Sequence, residues 1–181
     1  MARSSTGLLV GANHERGVPL RGRITKPTAA CCIARLLVLA TEQPGQPIII
    51  YIDSPGGPAK DSLSILSTMN GIRCPIATFC LGDASGTAAV IAARGSPGFR
   101  TAHPNAHFSF RRPAPAKSSH DASREQKLLP LLAEMLAKDL VKPEAEVLAW
   151  LTNGADFTAE QALAHHLIDR VSPTPLLPEG A

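Results

Sequence analysis

The chain has 181 residues, 44% of them hydrophobic and 4% aromatic, so one domain can bury a sizeable core built mainly from aliphatic side chains. Its net charge is +3 at pH 7 with the basic residues scattered, which favours a solvated surface over a nucleic-acid-binding face. The sequence has neither the long apolar run of a membrane span nor the apolar region of a signal peptide.

The first two thirds of the chain alternate between strand and helix patterns. In chain order we predict an extended segment at 18–23, a helix at 28–41, a buried strand at 48–52, a helix at 59–70, a buried strand at 76–80, a helix at 84–93, and strands at 99–101 and 107–111. Strands and helices that alternate at this spacing are typical of an α/β layered fold with parallel strands.

After Pro113 the pattern becomes helical. We predict a loop at 114–119, helices at 123–140 and 143–151, a further helix that begins after Thr158, and a strand at 167–171. Pro130 predicts a kink or a restart in the first of these helices. Thr158 and Gln161 have the spacing of a capping box. The predicted organisation is a flexible segment at 1–14, one domain at 15–172 and a loose tail at 173–181.

The cysteines, Cys31, Cys32, Cys74 and Cys80, match neither a zinc site nor a redox pair in their spacing. Buried free thiols are the expectation, and they fit a reducing cytoplasm, so a cytoplasmic location is predicted. The sequence predicts no metal site and no cofactor.

Motifs in a fixed order identify a family. They are SPGG at 54–57, CLGDASG at 80–86, HPNAHFSFRRP at 103–113 and FTAEQALAHHLID at 157–169. Together they resemble the proteolytic subunit of the Clp protease (ClpP), a self-compartmentalising serine peptidase, from about residue 15 to residue 171. The resemblance implies a ClpP/crotonase-like spiral of βαβ units with a C-terminal helical handle region. It also implies a heptameric ring and an AAA+ unfoldase as a partner.

The predicted catalytic positions depart from the family pattern. The family writes the second motif as CMGQAASMGA and the third as PNSRVMIHQP, so its nucleophilic serine corresponds to Gly86 and its histidine base to Arg111. Its aspartate corresponds to Gly154. Glycine has no side chain that can attack, and an arginine in a protein does not lose its proton. Because the three groups act as a unit, loss of all three predicts that the usual peptidase mechanism is absent.

Two side chains and two backbone N–H groups are the remaining candidates for catalytic roles. Ser85 is interpreted as an N-cap or helix-start residue, with a displaced nucleophile as the alternative. His107 is interpreted as a solvated histidine, with a general base as the alternative. The resemblance also implies that the backbone N–H groups of Gly57 and Thr87 form an oxyanion hole.

The leading hypothesis is therefore a proteolytically inactive ClpP-like subunit with a structural or regulatory role. It would form a homo-oligomeric ring or assemble with an active ClpP-type subunit, with an AAA+ unfoldase as a further partner. The alternatives are an ATP-dependent serine endopeptidase with a rearranged site at Ser85, and a crotonase-type acyl-CoA-binding protein. Neither nucleic acid nor a membrane is predicted as a partner.

Overall fold

The computed structural model describes the backbone of residues 14–110 and 119–175, and the side chains of 15–110 and 127–175. The predicted loop at 114–119 lies outside the described residues except for Ser119, which begins a helix. Arg111, nearly all of the predicted flexible segment at 1–14 and the last six residues of the tail also lie outside them.

One sheet and a set of helices make up the described part of the chain. The strands are β1 (Gly17–Arg21), β2 (Ile48–Ser54), β3 (Ile76–Ser85), β4 (Arg100–Ala102), β5 (His107–Ser109), β6 (Asp156–Thr158) and β7 (Arg170–Val171). The helices are α1 (Lys26–Glu42), α2 (Ala59–Gly71), α3 (Thr87–Ala93), α4 (Ser119–Leu140), α5 (Glu144–Asn153) and α6 (Ala159–Ala164), preceded by a 3-10 turn at His14–Arg16.

The sheet has the order β1-β2-β3-β4-β7, and β5 extends it by pairing with β3 on one side and β6 on the other. All of these pairings are parallel except that of β5 with β6. The prediction of an α/β fold with parallel strands is therefore confirmed. Because the carboxyl ends of β2 and β3 lie at the same edge, the turns that follow these two strands become neighbours.

β2 is the buried strand that the run of isoleucines predicts. Ile48, Ile49, Ile50 and Ile52 are buried, and successive side chains point to opposite faces, so both faces of the strand are covered. The larger core lies between the sheet and the helices, where α1 packs on α2, α2 on α3 and α4, and α4 on α5. A smaller apolar cluster around Phe79 covers the other face.

β3 is longer than predicted, and this changes the assignment of the residues that follow it. The sequence predicts a strand at 76–80 and a helix at 84–93, but the strand continues to Ser85 and α3 begins at Thr87. The extension forms because the first half of β3 pairs with β4 and its last residues pair with β5. The small residues Ala84 and Ser85, which favour a helix start locally, thus complete a strand instead.

The C-terminal helices lie near their predicted positions, but α4 begins at Ser119 rather than at residue 123, and the strand predicted at 167–171 is reduced to β7 at Arg170–Val171. Pro130 lies inside α4, which continues through it rather than restarting. β6 was not predicted, because three residues give no visible alternation, and it forms by antiparallel pairing with β5. The capping box of α6 is confirmed: Gln161 N–H donates to Thr158 Oγ1 over 3.3 Å, and Thr158 N–H donates to Gln161 Oε1 over 2.9 Å.

Two further features bear on the sequence-based expectations. Cys32, Cys74 and Cys80 are buried as expected, but Cys31 is exposed because it lies on the outer face of α1. Among the described residues, none of the helices combines the length and apolar character that crossing a bilayer requires.

Candidate functional site

The turn between β3 and α3 is the centre of the candidate site. Gly86 occupies it with φ 55° and ψ −123°, and its N–H donates to the carbonyl oxygen of Ser109 over 2.6 Å. Glycine adopts this left-handed backbone without steric cost, whereas a residue with a Cβ atom is strained there. Such a sharp strand-to-helix turn is the arrangement that exposes a nucleophilic side chain in enzymes that carry one.

The segments next to the other two predicted triad positions converge on this turn. Phe110, which precedes Arg111, follows Ser109 directly and donates its N–H to the carbonyl oxygen of Ala155 over 2.7 Å. Ala155 in turn follows Gly154, which ends α5 with φ 89°. The backbone near Gly86 is thus joined through β5 to the backbone near Gly154.

The SPGG turn after β2 packs directly against the Gly86 turn. Its Ser54 hydroxyl donates to Gly22 O over 2.7 Å and accepts from Gly56 N–H over 3.0 Å. A Cβ atom on Gly56 would overlap the carbonyl oxygen of Ser85, and one on Gly57 would lie 2.7 Å from the carbonyl carbon of Ile24. At both positions the neighbouring backbone leaves no room for a Cβ atom. The positive φ of Gly56 is a second reason for glycine at that position.

A side chain engages one of the two backbone groups predicted as an oxyanion hole. The N–H of Gly57 donates to the hydroxyl Oγ1 of Thr87 over 3.1 Å. The same hydroxyl lies 3.1 Å from the carbonyl oxygen of Gly57 and accepts from the Ser62 hydroxyl over 2.7 Å. In this structure the Gly57 donor is satisfied from inside the protein.

Ser85 is the last residue of β3, so its interpretation as an N-cap or helix-start residue is wrong. Parallel pairing sets Asp83 opposite His107 and Ser85 opposite Ser109. Side chains alternate along a strand, and the intervening Ala84 and Phe108 are fully buried in the core. Asp83, Ser85 and His107 consequently share the opposite face of the sheet.

This shared face brings Ser85 and His107 near each other without joining them. They are diagonal neighbours across the parallel pair of β3 and β5. A base must be within hydrogen-bond distance of its nucleophile, yet neither side chain makes a hydrogen bond in the described part of the chain. Asp83 and His107 likewise form no ion pair there.

Two other described histidines, His103 and His165, have local roles. His103 Nδ1 accepts from Asn105 N–H over 3.2 Å in the turn before β5. His165 ends α6 and packs its ring on Trp150 and Phe157, at centroid distances of 5.5 and 4.8 Å. Nowhere among the described side chains do three or more histidine, cysteine or acidic groups gather as they would to hold a metal ion.

Sequence reasoning treated residue 87 only as a backbone donor and missed its side chain. The threonine hydroxyl and its partner Ser62 come from segments 25 residues apart, and Gly57 lies 30 residues from Thr87. The one signal available was that the family motif has methionine where this chain has Thr87. A hydroxyl in that place has a buried hydrogen-bonding group to satisfy, whereas a thioether has almost none.

Comparison with known proteins agrees with the motifs and the fold. The family model described as "Clp protease" matches residues 5–175. The chain belongs to the Clp protease family. Its sheet with flanking helices is consistent with the fold of that family, and the chain is a ClpP-like subunit.

Curated members of the Clp protease family cover most of the chain. ATP-dependent Clp protease proteolytic subunit 1 of Tropheryma whipplei (strain Twist) is 34% identical over 166 residues, which is 87% of this chain and 80% of the relative. Subunit 2 of Frankia casuarinae is also 34% identical, over 88% of this chain and 76% of the relative. Subunit 2 of Streptomyces coelicolor is 32% identical over 89% and 77%.

Proposed function

We propose that this chain is a proteolytically inactive ClpP-like subunit with a structural or regulatory role in a Clp-type assembly. The observation that carries the proposal is the turn at Gly86. Its backbone has the sharp strand-to-helix geometry from which a nucleophile is presented, and its N–H is hydrogen-bonded to Ser109, but it bears no side chain.

The proposed assignments of the other two positions extend this reasoning. Arg111 brings a permanent positive charge to the position of the general base, and a guanidinium cannot accept the nucleophile's proton. Gly154 leaves no carboxylate that could orient an imidazole. In triad enzymes, removing the nucleophile or the base costs about as much activity as removing all three groups. The absence of either group here is therefore sufficient to abolish the usual mechanism.

The role in an assembly is supported by family membership. We propose that the chain forms a homo-oligomeric, heptameric ring, or enters a mixed ring with an active ClpP-type subunit. An AAA+ unfoldase is the proposed further partner. A subunit without a nucleophile would alter the number of working sites in such a ring while keeping its wall complete.

Three measurements test the proposal. A fluorophosphonate probe is expected to leave every serine unlabelled, and fluorogenic peptides are expected to remain uncleaved. Native mass spectrometry after co-expression with an active subunit is expected to show mixed or homomeric rings. Labelling at Ser85 would overturn the inactivity, and a lone monomer in every condition would overturn the assembly role.

A second candidate is a serine endopeptidase with a rearranged site. The cross-strand register favours it, because Ser85 and His107 are diagonal neighbours on one face with Asp83 opposite His107. The test compares Ser85→Ala and His107→Ala with Ser64→Ala, whose hydroxyl bonds only to Lys60 O within α2. Peptidase activity that both site variants abolish and the control keeps would establish this candidate.

A third candidate, the crotonase-type acyl-CoA-binding protein, is disfavoured by the hydrogen bond from Gly57 N–H to Thr87. An acyl carbonyl oxygen would have to take that donor from the hydroxyl. Retention of the chain on an immobilised CoA resin would restore this candidate.

A further inference from the structure

The hydroxyl of Thr87 uses all of its hydrogen-bonding capacity inside the protein. A hydroxyl has one donor and two acceptor lone pairs. Here it accepts from Gly57 N–H over 3.1 Å and from the Ser62 hydroxyl over 2.7 Å, and it donates to Gly57 O over 3.1 Å. Both main-chain groups of Gly57 are thereby bound by one side chain from the first turn of α3.

This network is closed off from solvent. Thr87 is 3% exposed and Ser62 is fully buried. Gly56, within the SPGG turn, faces α3 so closely that an added Cβ would lie 3.3 Å from Thr87 Oγ1. Water therefore has little opportunity to replace a lost partner, and a buried polar group without a partner is strongly destabilising.

We infer that the Thr87 side chain is an internal lock on the predicted oxyanion hole, holding the Gly57 N–H so that no carbonyl or anionic oxygen can use it. The inference deepens the proposed function, and rests on it in taking the Gly86 turn as an inactive site. The lock is separate from the missing triad, because it withdraws the Gly57 N–H, one of the two predicted backbone donors that would remain if the side chains alone were lost.

The lock also explains why a hydroxyl at residue 87 is compatible with a well-packed turn. An entering oxygen atom would have to break the bond from Gly57 and leave the Thr87 hydroxyl with an unused acceptor in a buried place. Such a ligand must offset that loss before it gains anything from Gly57. A side chain at residue 87 without a hydroxyl would leave the Gly57 donor available.

Amide hydrogen exchange of Gly57, followed by NMR in the full chain, tests the lock. In Thr87→Val, which keeps the branched shape but lacks the hydroxyl, we expect Gly57 exchange to accelerate about tenfold or more relative to the wild type. In Thr87→Ser, which keeps the hydroxyl, we expect protection to remain. Unchanged Gly57 exchange in folded Thr87→Val would overturn the inference.

Thr78→Val is the matched control for general destabilisation. Thr78 is 1% exposed, and its hydroxyl donates to Ala92 O over 2.7 Å, so the same substitution removes a buried hydrogen bond that does not involve Gly57. We expect Gly57 exchange in this control to change only in step with the other core amides. A selective acceleration at Gly57 in Thr78→Val as well would overturn the lock.

A measurement on the wild type keeps the inference testable if Thr87→Val does not fold. A buried hydroxyl that donates a hydrogen bond exchanges slowly, so its proton should give a resonance with a through-space contact to the Gly57 amide proton. Absence of both the resonance and the contact would overturn the lock. Fluorophosphonate labelling of the wild type, in contrast, would overturn the proposed inactivity and leave the Gly57 result unaffected.

Discussion

The N–H of Gly86 donates to the carbonyl oxygen of Ser109 over 2.6 Å, across the boundary between β3 and β5. This bond holds the strand-to-helix turn against the neighbouring strand. A side chain introduced at residue 86 would therefore leave from a backbone whose direction is already set. Substitutions at residue 86 therefore test the proposed loss of the catalytic groups.

Gly86→Ser is expected to restore no peptide hydrolysis. The substitution supplies a hydroxyl at the turn, but the proposed base position still carries the Arg111 guanidinium, which cannot take up a proton. The measurement is the rate of cleavage of fluorogenic peptides by the folded variant, compared with the wild-type chain.

Gly86→Ala is the control for that variant, since it adds a Cβ without a hydroxyl. Because Gly86 has φ 55°, both substitutions should lower the free energy of unfolding by about 1–3 kcal/mol. Cleavage by Gly86→Ser but not by Gly86→Ala would show that the correspondence of residues 86 and 111 to the family's serine and histidine is wrong.

Gly57→Ala is expected to be severely destabilising. The added Cβ would overlap the backbone of Ile24, which neither a rotamer change nor a small side-chain movement relieves. The expected loss is about 3 kcal/mol or more, as for overpacking in a rigid core. Urea denaturation monitored by circular dichroism gives the free energy of unfolding.

Gly71→Ala provides the comparison. Gly71 ends α2, and an added Cβ there meets nothing within 4 Å. Alanine is the better helix former, so this variant should be neutral or up to about 1 kcal/mol more stable. Equal stability of the two alanine variants would show that the SPGG turn is not packed against Ile24 as described.

Thr158→Ala is expected to cost about 1 kcal/mol of stability. The substitution removes the oxygen that accepts from Gln161 N–H at the start of α6. Thr152→Ala is the matched variant, since its hydroxyl bonds back only to Leu148 O and Ala149 O within α5, and the helix keeps its own backbone bonds without it. The melting temperatures of the two variants should differ by several degrees. Equal melting temperatures would contradict the capping role.

Asp169→Asn is expected to lower stability near neutral pH by about 1–3 kcal/mol. Partial burial raises the pKa of the Asp169 carboxyl, but the hydrogen bonds from Arg100 and Gly98 and the Arg100 charge outweigh it, so its pKa lies below the ordinary value of 3.8. A lowered pKa in the folded state gives stability that is present above pH 3.8 and is lost as the pH falls through the folded value.

The difference in the free energy of unfolding between wild type and Asp169→Asn should therefore be constant from neutral pH to about pH 4 and become smaller below it. Urea titrations at several pH values measure this difference. Glu134→Gln is the control, because its ion pair with Lys138 is exposed at the surface of α4 and should contribute no measurable stability. A difference for Asp169→Asn that becomes larger below pH 4 would contradict the sign of the pKa shift.

Local patterns predicted most of the architecture. The isoleucine run predicted β2, and the capping pair Thr158 and Gln161 predicted the start of α6. The alternation of strands and helices predicted the parallel sheet. The pattern could not predict where β3 ends. That boundary depends on β5, which lies about 20 residues further along the chain and offers the last residues of β3 a partner.

The candidate site was only partly predictable for the same reason. The family resemblance paired the backbone donors of Gly57 and Thr87, and the structure brings these two residues into contact. The hydrogen bonds of Thr87 were beyond local reasoning, since they join three segments that meet only after the sheet has formed. The assignments of Arg111 and Gly154 remain predictions from the family motif.

The outward position of Cys31 on α1 has a practical consequence. Cys32, Cys74 and Cys80 are buried, and burial raises the pKa of Cys32 and Cys80 to about 12, so these two thiols stay protonated and unreactive at neutral pH. A maleimide dye should consequently attach at a single native site. Fluorescence anisotropy of the dye-labelled chain can then report the tumbling rate, and hence the recruitment of companion subunits, without an engineered tag.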